Sequence, residues 1–152
     1  MRLAAALFVL VAFPLAVQAG DADGDFIQCN PQGSQTELNA CAGAEFGRAD
    51  AELNRVWKAI QARYDDQPKF LAQLKKAQQA WLVFRDAEMA AKFPLAPGER
   101  ANVQYGSVFP MCESGFKARL TTQRVAQLKV WLDGVEEGDV CSGSVKLKDQ
   151  LQ

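Results

Sequence analysis

The 152-residue chain contains no histidine. The commonest general base, the commonest metal ligand and the usual activator of a serine or cysteine nucleophile are therefore all missing. A strong charge of either sign is missing too: 17 Lys and Arg stand against 18 Asp and Glu. Nucleic-acid-binding domains carry a basic excess on one face, so no nucleic acid partner is expected. No glycine-rich phosphate loop occurs, because Gly33, Gly43 and Gly47 do not form one. The four cysteines are 12, 71 and 29 residues apart, whereas zinc sites use close C-x2-4-C pairs. The acidic stretch from Gly20 fails as a calcium loop: counted from Asp21, its sixth and twelfth positions are Phe26 and Gln32. No metal and no cofactor is expected. No persuasive strand is present, Val103 to Phe109 being the one short stretch where it could be argued.

What is present is a length that suits about one domain. An apolar share of 49% with 23% charged residues is ordinary for a globular protein. Arg2 precedes an uncharged run from Leu3 to Val17, broken only by Pro14, and Val17-Gln18-Ala19 supplies small residues before a cleavage point. Residues 1–19 thus read as a bacterial signal peptide removed before Gly20, too short to anchor the chain across a membrane. The remaining 20–152 is expected to be one periplasmic or secreted domain with its core over about 29–133. An oxidising destination and an even cysteine count favour two disulfides. Three connectivities are open; the preferred one joins Cys29 to Cys41 across a turn and, by elimination, Cys112 to Cys141. That second bridge requires the tail to fold back along a helix of about 30 Å.

Three helical patterns follow. Ser34 and Glu37 fit a capping box. Leu38, Ala42, Phe46, Ala49, Leu53, Val56, Ile60 and Tyr64 then make one stripe at steps of three and four. Gly43 and Gly47 lie within it as a bend or as points of close helix approach. Asp65 to Pro68 ends the segment. The second stripe runs through Phe70, Leu74, Ala77, Trp81 and Phe84 and stops before Pro94. The third covers about Pro110 to Leu132 with Phe116, Leu120, Leu128 and Trp131, and Gly134 closes it. The fold class is all-α: a disulfide-stapled antiparallel bundle of about three helices, with an irregular leader and tail.

Catalytic chemistry finds little support. Ser114-Gly115-Phe116-Lys117 is a Ser-x-x-Lys pattern without the companion motifs of such enzymes. Glu45, Asp50, Glu52, Asp86 and Glu88 fall on helices and give no sign of converging in a cleft. The densest constellation is Ala77 to Glu88, in which Trp81 and Phe84 share a core face with Leu74 and Arg85 can hold a carboxylate or carbonyl beside Asp86. Trp57 lies beside the first stripe and is the candidate partly exposed aromatic for an interface, ahead of Trp81.

With this constellation the chain resembles the family of the lysozyme inhibitor LprI, small exported helical proteins. The matching pieces are Cys29-Asn30-Pro31, Gln35 to Ala42, Ala49 to Asn54, Ala77 to Glu88, Gly106-Ser107 with Pro110-Met111, and Leu120-Thr121 with Arg124. Members often carry cysteines where this chain has Met89 and Phe116. The resemblance implies a helical bundle, export, a role in blocking lysozyme, and no catalytic residues. The Ser-Gly-x-x-Tyr loop of the β-barrel class of lysozyme inhibitors is absent, since Ser114-Gly115 continues into Phe116-Lys117-Ala118.

The expected function is therefore a binding protein that occludes a lysozyme's cleft. The long connection from Pro97 to Pro110 is the expected contact surface, with Tyr105, Gly106 and Ser107 at its centre. The alternative is an envelope interaction module that binds another protein through the face around Trp57. A carboxylate-based cell-wall hydrolase is the remote third.

Overall fold

A computed structural model of the chain describes residues 29–151. Residues 1–19, read as a signal peptide, and the acidic leader lie outside the described residues. Four α-helices follow in order: α1 Gln35–Arg63, α2 Pro68–Lys92, the single turn α3 Ala101–Gln104, and α4 Phe109–Asp133. A 3-10 turn at Lys148–Leu151 ends the described chain. The bundle is all-α, as expected, and successive long helices run in opposite directions. Local sequence accounts for where they begin. The Ser34 amide donates to Glu37 Oε2 at 2.7 Å and the Glu37 amide donates back to Ser34 Oγ, which is the reciprocal cap. Prolines open α2 and α4 in their first turns, where a missing N–H costs nothing.

The main interface joins α1 to α4, which run parallel. At one end Asn39 donates to the Ser107 carbonyl at 3.1 Å and accepts from the Met111 amide at 3.2 Å. At the other, Arg63 donates to the Leu132 carbonyl. Leu53, Val56, Ile60 and Tyr64 of the first stripe are buried there with Val125 and Leu128 of α4, and Leu74 joins them from α2. Trp57, Phe70, Leu71, Trp81 and Trp131 pack around this core half-buried.

Tyr64 organises the end of the bundle. Its side chain is fully buried, its ring packs against Phe70 and Trp131, and its hydroxyl donates to the Trp131 carbonyl at 3.0 Å. The same oxygen accepts from the Lys146 amide at 3.0 Å. Lys146 Nζ reaches the Arg63 carbonyl at 2.8 Å and the Asp66 carboxylate at 3.0 Å. The tail is thereby latched over the ends of α1 and α4, and Val135 pairs with Leu147 in an isolated parallel bridge. Gly134 makes the turn possible at φ 69°; a Cβ there would meet the Lys146 carbonyl at 2.9 Å.

Three expectations need correction. Cys29 and Cys41 are bonded, but Cys112 and Cys141 are both free and exposed. Cys112 lies in the first turns of α4, and the tail carrying Cys141 curls over the opposite end of that helix, about 30 Å away by helical rise. Phe84 is not core: α2 turns it outward, 53% exposed, beside Val83 at 71%. Trp57, by contrast, is partly exposed as read, with the rest of its ring packed against the core. Gly43 and Gly47 admit no close neighbour, since a Cβ at either would meet nothing within 4 Å, and α1 runs as one helix through both.

Candidate functional site

The long connection between α2 and α4 is folded around aromatic rings. Phe93 at the end of α2 meets Tyr105 edge-on with centroids 5.6 Å apart, and Tyr105 stacks on Phe109 at 5.6 Å. Phe93 also meets Phe109 at 5.3 Å and Phe116 at 6.5 Å, both edge-on. The Tyr105 hydroxyl donates to the Pro94 carbonyl at 2.6 Å, tying the end of α3 to the start of the loop. Such pairs add specific geometry to apolar burial, so the segment is held as a formed surface.

The three residues expected to make contact have different parts here. Tyr105 is the internal strut of the loop. Gly106 takes φ 74°, a left-handed turn that side-chain-bearing residues avoid, and leads into α4. Ser107 is exposed, and its backbone carbonyl anchors the loop to Asn39 of α1. The outward groups are others: Val103 is 68% exposed, Leu95 43% and Val108 36%. Gly98, Glu99, Arg100, Val103 and Gln104 line a shallow depression of about 260 Å³. An apolar groove of about 440 Å³ lies alongside, with Met89, Phe93, Leu95, Phe109 and Glu113 in its walls. The signal for this arrangement was the spacing of Phe93, Tyr105, Phe109 and Phe116, four rings gathered around one connection.

The Trp81 constellation is a scaffold. The Arg85 guanidinium lies over the indole at 5.4 Å and binds Asp86 at 2.8 Å. Arg124 of α4 approaches the same ring at 6.0 Å and donates to Gln78 at 2.9 Å, joining α2 to α4. Burial pushes the Arg124 pKa downward. Among the carboxylates, Glu52 binds Arg55 at 2.6 Å and Lys129 of α4 at 3.1 Å. The hydrogen bond from Arg55, with Lys129 behind it, holds Glu52 down to about 2. A group so firmly ionised is poorly suited to donate a proton near neutrality. Lys117, the candidate base for Ser114, instead lies over the Phe46 ring at 5.0 Å.

The described residues thus form a small all-α bundle with one disulfide and a prefolded connecting loop. The sequence profile of the family described as lysozyme inhibitor LprI matches residues 28–128. The chain belongs to that family. It is also 34% identical over 148 residues to an uncharacterised protein of Rhizobium meliloti (strain 1021), covering 90% of this chain and 99% of the relative. No solved structure matches.

Proposed function

We propose that this protein is an exported inhibitor that binds a lysozyme and blocks its cleft through the Leu95–Val108 connection. The observation that carries the reading is a loop fixed by the Tyr105 hydroxyl and four stacked or edge-on rings, yet presenting Leu95 and Val103 to solvent. Preorganisation lowers the entropy lost on binding, and exposed apolar groups on a rigid loop suit the centre of an interface. The Cys29–Cys41 bond supports an oxidising compartment, which the signal-peptide reading of residues 1–19 supplies. On this reading 20–152 is the mature domain, and it needs no metal or cofactor.

The test is titration of the mature domain into cell-wall lysis assays with several lysozyme classes. Saturable inhibition of one class is expected. Val103→Asp should weaken it at least tenfold with unchanged thermal stability, because the side chain makes its contacts outside the fold. No inhibition by the wild type at large molar excess would remove the reading.

A second reading is favoured by one observation: α2 exposes Val83 and Phe84. An envelope interaction module would use that helix face rather than the loop. Val83→Ser with Phe84→Ser would then abolish partner binding while Val103→Asp left it intact.

A further inference from the structure

Enzymes that cleave glycosidic bonds by the usual route hold two carboxyl groups across the scissile bond, at least one of them ionised. A protein that fills such a cleft meets that charge at the bottom. We infer that Arg100 is the group this chain inserts there, its guanidinium pairing with the enzyme's carboxylates while Leu95 and Val103 close on the rims. The inference rests on the lysozyme-binding reading and adds to it the residue that reads the enzyme's chemistry.

Arg100 stands at the head of α3 with an extended backbone, φ −107° and ψ 128°. Its carbonyl accepts from the Val103 amide at 2.9 Å and from the Gln104 amide at 3.1 Å, so its main chain is fixed. Its side chain is exposed and makes no ion pair among the described residues. The adjacent carboxylate is otherwise engaged: Glu99 accepts from the Ala96 amide at 2.8 Å and closes its own turn. Two other cations near this end of the bundle, Lys92 and Arg119, lie over the Phe116 ring at 4.0 and 5.0 Å. Arg100 is thus a planar donor at the edge of the loop's depression, beside an exposed valine. Its fork matches carboxylate geometry with two parallel N–H···O bonds, which an ammonium group cannot reproduce.

Binding is measured by calorimetry for the lysozyme class that the wild type inhibits, using the active enzyme and its catalytic Glu→Gln and Asp→Asn variants. Arg100→Ala should weaken binding to the active enzyme about 30-fold or more, with Arg100→Lys intermediate. Lys58→Ala, on the exposed face of α1, should leave it unchanged. At least one amide variant of the enzyme should weaken the wild type comparably but weaken Arg100→Ala little further, since both changes remove one interaction. Arg100→Ala binding within threefold of wild type, or additive losses with both enzyme variants, would overturn the inference while leaving the lysozyme reading in place. A wild type that binds no lysozyme class removes both.

Discussion

Glu52 sits where α1 faces α4 and joins them through Lys129, while the hydrogen bond from Arg55, one turn along α1, is the main cause of its lowered pKa. An unfolded glutamate titrates near about 4.3, so the folded value of about 2 contributes stability that is complete above pH ~5. It is lost as pH falls from there toward 2. A third of the side chain remains in solvent, 33% by area, and screening cuts the contribution to about 1 kcal/mol. Glu52→Gln should therefore destabilise by roughly that amount at pH 7, and urea unfolding at a series of pH values should show the gap closing between pH 5 and 2. A gap independent of pH would show that the carboxylate's charge is not its source. Tyr64 makes a different kind of contribution. Tyr64→Phe keeps the ring contacts and deletes a hydroxyl that donates to Trp131 and accepts from Lys146. The expected loss is about 1–3 kcal/mol, and hydrogen exchange should show the Lys146 amide deprotected before those of α4.

At the scale of elements, α1 is longer than its own sequence favours. Gly43 and Gly47 are solvent-facing helical positions with open space where a Cβ would go. Gly43→Ala and Gly47→Ala should each stabilise by about 0.5–1 kcal/mol, additively, read as shifts in denaturation midpoint at constant m-value. The first stripe was legible because α1 has one dominant neighbour, so its period of three and four maps onto one buried face. The caps were legible for the same local reason, Ser34 with Glu37 at the start of α1 and Gly134 at the end of α4. For α2 the rule broke down at Phe84. Periodicity groups residues by face but does not say how far a neighbour wraps around the helix, and α2 is covered only on the Leu74 and Trp81 side. The loop divided similarly. Its length marked it for attention, yet the exposed Val103 was not singled out and Tyr105 was read as outward, because which ring points inward depends on Phe93, Phe109 and Phe116 arriving from two other elements.

Over the whole molecule, the covalent staple and the latched tail act at opposite ends. Cys29–Cys41 encloses 12 residues of sequence separation and fastens the chain before α1 to its second turn. Reducing it should cost about 3 kcal/mol on the chain-entropy estimate. Thiol titration of the native protein should count two reactive groups, Cys112 and Cys141, rising to four after reduction. A native count of zero would restore the second bridge that sequence elimination favoured. That pairing was misjudged because an even cysteine count carries no information about where a tail turns. The turn is set by Gly134 and by the Tyr64 hydroxyl some 70 residues upstream.

The parallel pairing of α1 with α4 also makes the core depend on contacts distant in sequence. Contacts such as Asn39 to Met111 and Tyr64 to Trp131 join residues 72 and 67 positions apart, while the α1–α2 hairpin offers little to bury alone. The nucleus must close a long loop first, which slows collapse. A nascent chain that has not yet delivered Phe109 has no complement for the stripe on α1. Its apolar face stays unpaired until the final helix emerges.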